Sequence, residues 1–325
     1  MIYIDTHSAD AFYNFGCEYY FAVEKALDDD VFLMWKTTPT LMIGKYQNTL
    51  EEIDGAYARE KGLTVVRRLS GGGTIYTDEG GWQFSYITRS LGMEIEFDRF
   101  IGPVVEVLRS LGLDAAATGR NDITVNGRKV SGNAQFRLGS ATVHHGSLLF
   151  DTDIDELVRS TTPQPYKITS KAIKSVRERV INIREALPEE NRMTADEFRD
   201  TVVRRLTDSV YTLTPEDDAR IRELGQEHFA DPKLIYAAAP KFEIEKTVHL
   251  PGGNFIVGLT VRKGRIENAG ITGDFFAASD SLGSDMSGAL IGCDYTPDAV
   301  KAVLEPFTGQ LFRVEIADLV RGMFE

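Results

Sequence analysis

Apolar and aromatic residues recur at helical spacing across residues 11–27 (Phe12, Phe15, Tyr19, Ala22, Val23, Ala26), and the pattern then switches to short strand-like runs at 31–36 and 40–44. Residues 51–61 return to a helical pattern before a strand that starts at Val65. Over 81–88 the residues alternate, with Trp82, Phe84 and Tyr86 set against Gln83 and Ser85. That period of two predicts a half-buried strand, with one face in the core and the other in water. Helical spacing resumes over 97–111.

Three further strands are expected at 123–125, 130–136 and 142–150, separated by the hairpin-type turns Asn126-Gly127 and Leu138-Gly139-Ser140. Helices follow at 194–210, where Thr194 and Glu197 have the spacing of a capping box, and at 215–229, where Thr214 and Pro215 fit the N-cap and first helical positions. Beyond Ala237-Ala238-Ala239-Pro240 the texture changes to three short strands, 242–250, 255–262 and 265–271, with helices at 298–304 and 315–323. The irregular mixture of strand and helix predicts an α+β fold on a mixed sheet. Two domains are expected, a larger one over residues 1–240 and a small α+β one over 241–325.

The 325 residues are enough for a sizeable core, and 42% hydrophobic with 26% charged residues is ordinary for a globular chain. With 36 basic against 49 acidic residues, the net charge of −13 argues against general binding to nucleic acid or to an anionic membrane. No stretch reaches the length of a membrane span, and Asp5 and Asp10 stand where a secretory signal would be basic and then apolar. A cytoplasmic protein is expected. Cys17 and Cys293 lie far apart and lack metal-ligand or redox spacing, so both read as small core residues.

Against this acidic background one basic, glycine-rich set stands out: Arg67, Arg68, Gly71, Gly72, Gly73, then Gly119, Arg120, Asn121, Asp122, then Lys129. A strand ending in three glycines lets backbone N–H groups approach anionic oxygens, and arginine adds a planar charged fork. Taken singly, the glycines read as a hairpin or bulge, Asn121-Asp122 as an Asx turn, and Lys129 as a solvated charge. Together they can hold an activated phosphate. Asp122 suits a magnesium ion bridging nucleotide phosphates. His144 and His145, adjacent on a strand, face opposite ways, so at most one reaches a common site. There is no Gly-x-Ser-x-Gly elbow and no cysteine near the basic loops, so adenylation fits the inventory better than covalent catalysis.

The stretches Arg67-Arg68-Leu69-Ser70-Gly71-Gly72-Gly73-Thr74-Ile75-Tyr76, Gly119-Arg120-Asn121-Asp122-Ile123, Gly127-Arg128-Lys129-Val130-Ser131-Gly132-Asn133-Ala134 and His144-His145-Gly146-Ser147-Leu148-Leu149-Phe150 closely resemble the lipoate–protein ligase A family. Order and spacing agree, and further likeness lies in 44–48, in 170–182 and in 264–276, so the resemblance covers nearly the whole chain. It implies a biotin/lipoate-ligase catalytic domain, related to class II aminoacyl-tRNA synthetases, followed by a small accessory domain. The implied substrates are lipoate and ATP with Mg2+, and the implied acceptor is a lysine of a lipoyl-domain protein, an E2 subunit of a 2-oxoacid dehydrogenase or the glycine-cleavage H protein. Carried over by position, Lys129 is the catalytic lysine, touching the lipoyl carbonyl and the α-phosphate. Arg68, Gly71, Gly72, Gly73, Thr74, Ile75, Tyr76, Asn121 and Asp122 would bind ATP, with Asp122 also at the metal. Lys129, Arg68, Gly73 and His145 would border the lipoate.

The chain departs from the family pattern at Thr77, where histidine is usual, and at Gly81, where asparagine is usual; the usual Trp-x-Trp-Asn stretch is replaced by Pro232-Lys233-Leu234-Ile235-Tyr236-Ala237. Two other readings stay open. One is a lipoyl or octanoyl transferase drawing on a pre-activated or protein-bound acyl donor; the other is a non-catalytic protein that binds lipoyl domains.

Overall fold

The structure, a computed structural model, describes residues 1–89, 95–118, 121–161, 176–236 and 242–324. Among these, fourteen strands form three sheets. The first eleven are β1 (Ile2–Ile4), β2 (Val31–Trp35), β3 (Thr40–Ile43), β4 (Thr64–Arg67), β5 (Ile75–Thr77), β6 (Trp82–Thr88), β7 (Ala115–Thr118), β8 (Asp122–Val125), β9 (Arg128–Leu138), β10 (Ala141–Leu148) and β11 (Ser209–Val210). The main sheet runs β11-β1-β2-β6-β10-β9-β8-β7, and a small sheet β4-β3-β5 stands beside it. In the main sheet β11, β1 and β2 are parallel and the remaining pairings antiparallel, which is the mixed sheet that the pattern predicts.

Each face of the main sheet carries its own core. Phe32, Met34, Phe84 and Tyr86 pack with the helix Phe97–Ser110 and with Phe198 and Val202 on one side. Val31, Leu33, Trp35, Phe136 and Val143 pack on the other with the helices Ala11–Tyr19 and Pro215–Phe229. Alternation along β2 feeds both faces, as period-two geometry requires.

The same alternation on β6 has a different outcome from the one predicted. Gln83 and Ser85 are as buried as Trp82, Phe84 and Tyr86, so β6 is not a half-buried strand. It is central in the sheet, and its polar face turns into a covered cavity instead of water.

The helix predicted over 11–27 is α-helical only over Ala11–Tyr19, closes through a π-turn at Tyr20–Glu24, and is capped by Asp10. The predicted helix over 51–61 is two pieces, Thr49–Glu52 and Gly55–Lys61, because the Asp54 side chain accepts from the N–H groups of Ala56 and Tyr57 and starts a new helix. The capping box on Thr194 forms, but the helix stops at Leu206, and Ser209–Val210 becomes the edge strand β11.

In the C-terminal part, β12 (Ile244–Leu250), β13 (Gly253–Arg262) and β14 (Arg265–Phe275) form an antiparallel sheet covered by the helices Leu282–Leu290, Pro297–Leu304 and Ile316–Phe324. It touches the larger part closely. The Tyr46 ring stacks on Phe275 with centroids 4.4 Å apart, and the Gly273 N–H donates to the Tyr46 carbonyl at 2.7 Å. Just beyond β14, Phe276 leaves its own unit and joins the core of the main sheet, edge-on to Phe97 at 5.2 Å. The expected junction at Ala237 to Pro240 lies outside the described residues.

Candidate active site

A cavity of about 250 Å3 opens on the face of the main sheet where β6, β9 and β10 present their polar residues, and the glycine loop after β4 crosses it. Its walls include Arg68, Gly71, Gly72, Gly73, Thr74, Ile75, Asn121, Asp122, Lys129 and His145. These are brought together from sequence positions up to 77 residues apart because β8, β9 and β10 are neighbours in the sheet. Tyr76 is the exception: it is turned the other way and packs with Leu41, Ile43 and Val65. Gly119 and Arg120 lie outside the described residues.

The loop is held by backbone proximity. A Cβ on Gly71 would stand 1.9 Å from the Phe275 carbonyl oxygen, and Gly72 has φ of +91°, so neither position accepts a side chain as built. Arg68 is buried and spends its fork on the loop: Nη1 donates to the Met42 carbonyl at 2.6 Å, Nη2 to the carbonyls of Gly71 and Gly73 at 3.2 and 2.9 Å, and Nε to the Ser70 hydroxyl at 3.3 Å. Burial pulls its pKa down to about 10, partly offset by the negative charges of Asp274 and Glu18. Arg67 points out of the cavity and ties the loop to carbonyls of Gly44, Lys45, Gln47, Leu234 and Ile235.

Facing the glycines, Lys129 Nζ lies 2.7 Å from Asp122 Oδ1, with the two side chains 41% and 33% exposed. A β-bulge between Ile123 and Thr124 shifts the register so that Lys129 and Asp122 meet on one side of the β8–β9 pair. Gly132 gives the lysine room, since a Cβ there would stand 3.1 Å from Nζ. Asn121 is fixed through Asn133, whose Nδ2 donates to the Asn121 carbonyl at 3.0 Å. Asn133 in turn meets His144 Nε2 at 3.2 Å.

The two histidines part as expected. His144 enters the aromatic core and stacks on Phe100 at 4.6 Å. His145 lines the cavity, with Nε2 at 2.7 Å from the Ser70 hydroxyl and Nδ1 at 3.2 Å from Glu18 Oε1. Ser70, His145 and Glu18 have the order of a nucleophilic triad, but Ser70 is fully buried, is not among the cavity walls and already accepts from Arg68. The set pins the loop to the sheet.

Sequence reasoning missed Phe15, Trp35 and Met42, which make the apolar end, and Gln83, Asn133, Asp274 and Phe276. For Gln83 a signal existed, the polar phase of an alternating strand. For Asp274 and Phe276 none did, because nothing local links them to a loop 200 residues earlier. Neither cysteine lines the cavity: Cys17 is buried in the core beside it, with Phe15 and Trp35, and Cys293 lies in the C-terminal unit. Of the two departures, Thr77 bonds to the Thr37 hydroxyl at 2.7 Å inside the protein. A Cβ on Gly81 would stand 2.7 Å from Thr152 Oγ1, so a side chain there requires Thr152 to move.

A basic glycine loop, a lysine–carboxylate pair and an apolar end in one cavity are the parts an acyl-adenylate needs, and comparison with known proteins gives the same direction. The family describing the lipoyl protein ligase A/B catalytic domain matches residues 10–207, and that of the bacterial lipoate protein ligase C-terminus matches 239–321. A lipoate-protein ligase of Bacillus subtilis is 37% identical over 98% of this chain and 100% of its own length. The chain belongs to the lipoate–protein ligase family. Another member, lipoate–protein ligase 1 of Staphylococcus aureus, is 35% identical to this ligase over 90% of each chain. In fold, the ligase is similar to P. falciparum LipL1 in complex with lipoate, with a TM-score of 0.81 at 20% identity over 99% and 98% of the two chains.

Proposed function

We propose that this ligase activates lipoate with ATP and passes the lipoyl group to a specific lysine of a lipoyl-domain protein. One observation carries the reading: the Lys129–Asp122 pair and the glycine loop line one cavity together with the apolar side chains of Phe15, Trp35 and Met42. A nucleotide phosphate suits the first set and an eight-carbon acyl tail the second.

In the first step a carboxylate oxygen of lipoate bonds to the α-phosphorus of ATP, and the bond to the bridging oxygen breaks to release pyrophosphate. The amine of the acceptor lysine then adds to the acyl carbon, the acyl–oxygen bond breaks with its electron pair going to AMP, and the amine proton passes to solvent. The first step gathers negative charge where the carboxylate meets the α-phosphate, and the second puts it on the acyl oxygen and then on the departing AMP. Lys129 is the cation placed to meet it, and fixed donors at developing charge are the largest single catalytic term in such sites. The loop from Gly71 to Ile75 lines the nucleotide, and Asn121 faces the phosphates. Arg68 contributes the loop's shape and a positive charge behind it, while His145 and the apolar wall border the tail. Asp122 offers one carboxylate, which with phosphate oxygens is a donor set that suits Mg2+; bound there, the ion neutralises phosphate charge.

The reading divides the chain into a catalytic part over 1–240 and an accessory part over 241–325. The acceptor is an E2 subunit or the glycine-cleavage H protein. Neither nucleic acid nor a membrane is a partner, and the protein works in the cytoplasm; no helix among the described residues is long and apolar enough to cross a membrane. A transferase that forms a cysteine thioester is disfavoured, because neither Cys17 nor Cys293 lines the cavity. Lipoate-dependent exchange of pyrophosphate into ATP, followed by mass spectrometry of a lipoyl-domain acceptor, tests the proposal. Exchange and a single lipoyl addition are expected; no exchange with either lipoate or octanoate overturns it.

A further inference from the structure

Gln83 is a buried polar side chain in the wall of the cavity. It is 4% exposed and lines the cavity, and its carboxamide makes no hydrogen bond to any described residue. Because Gln83 lines the cavity, a ligand that fills it displaces water from the amide and must either take up its hydrogen bond or leave it unpaired, at a cost of about 1–3 kcal/mol. Its neighbours show that this is not a packing accident. Trp35 on β2 and Ser147 on β10 are directly opposite Gln83, so all three share the cavity face.

The same row continues toward the reactive end. The Ser147 hydroxyl meets the Gly132 N–H at 3.3 Å, and Gly132 is paired with Asp122 across β9 and β8. Lys129 Nζ lies over Gly132. Strands are spaced about 4.8 Å apart, so the Gln83 and Gly132 backbones are roughly 10 Å apart. Gln83 and Lys129 both line the cavity, on strands separated by β10. The row therefore runs from an aromatic wall, through an amide, to a cation.

We infer that the Gln83 carboxamide N–H donates to the acyl oxygen of the substrate, sharing with Lys129 the charge that forms when the acyl carbon reacts. The chemistry of the substrate selects this atom: the ring sulfurs of lipoate are weak acceptors, whereas the carboxyl oxygens are strong ones. In the transfer step the amine adds to the acyl carbon, the carbonyl oxygen becomes an oxyanion held by Lys129 and Gln83, and the carbonyl re-forms as AMP leaves. This assignment rests on the ligase reading of the cavity.

The test uses the full-length protein and a lipoyl-domain acceptor, following transfer of the lipoyl or octanoyl group from the preformed acyl-adenylate, with ATP–pyrophosphate exchange run beside it to read the first step and folding checked by thermal melting. Gln83→Leu keeps the volume and removes the donors, and is expected to lower the transfer rate roughly 10- to 100-fold. The loss should be equal for the two acids, with KM for ATP within about twofold of wild type. Gln83→Asn, which keeps the amide one methylene short, is expected to recover part of the rate and serves as the probe if the leucine variant does not fold. A Gln83→Leu transfer rate within threefold of wild type overturns the inference. So does a loss confined to lipoate with octanoate spared, since it would put the amide at the ring. Absent exchange in the wild-type chain would instead overturn the ligase reading, so the two failures are distinguishable.

Discussion

Lys129 and Asp122 form an ion pair at 2.7 Å whose two side chains remain a third or more exposed to solvent. Pairs so exposed contribute about 0–1 kcal/mol to folding, so stability is a poor reason for this one to exist. Lys129→Ala is expected to leave the melting temperature nearly unchanged while lowering lipoate-dependent exchange by roughly 10²–10³-fold. A rate near wild type in a folded Lys129→Ala protein would remove this lysine from the chemistry.

Much of this site was legible because its parts are local in sequence: the Arg68 to Ile75 loop, Asn121-Asp122 and Lys129 each sit at a turn or strand end that the pattern marks. What the sequence could not reveal depends on long-range pairing. The strand Ala115–Thr118 is three alanines and a threonine, too small to show alternation, and Ser209–Val210 is a strand only because it pairs with Ile2 and Tyr3. The helix Leu282–Leu290 is masked by its glycines and serines. Gln83 was legible as the polar phase of β6, but whether that phase met water or a cavity depended on what covers the sheet.

His144 gives the fold a sensitivity to mild acid. Burial, and then the neighbouring His145, hold its pKa well below 6.5, so the folded protein keeps the ring neutral while an unfolded chain takes up a proton near pH 6.5. Below that pH the unfolded state binds more protons, and stability falls toward the lower folded value by up to about 1.4 kcal/mol per pH unit. Melting temperature is expected to decline from pH 7 to pH 5 in wild type and to decline less in His144→Gln. Equal slopes in the two proteins would count against this source.

Asp217 acts at lower pH. Burial opposes its charge, but hydrogen bonds from Lys25, Tyr20, the Thr214 backbone and Tyr211 outweigh burial and hold its pKa well below the ordinary value. The stabilisation is present above about pH 4 and is lost as pH falls toward the depressed folded value. Asp217→Asn is expected to cost about 2 kcal/mol at pH 7, less than for a fully buried pair because the Lys25 side chain is 30% exposed. The difference from wild type should shrink by pH 3, and an undiminished difference there would contradict a charge-based origin.

The glycine loop cannot hold a phosphate and the C-terminal unit in the same way at once. The Gly72 N–H already donates to the Phe275 carbonyl at 3.1 Å, and a Cβ on Gly71 would stand 1.9 Å from that oxygen. A phosphate drawing on the same N–H competes with Phe275, and the neighbouring contacts, Gly273 N–H to the Tyr46 carbonyl and the Tyr46–Phe275 stack, lose their anchor. A lipoyl-adenylate analogue is therefore expected to speed hydrogen exchange at the Gly273 amide and to enlarge the radius of gyration in small-angle scattering. Gly71→Ala, which forces the two backbones apart, should raise Gly273 exchange without the analogue and cost about 1–3 kcal/mol. If neither exchange nor scattering responds to the analogue, the C-terminal unit stays docked and the nucleotide must bind the loop without displacing Phe275.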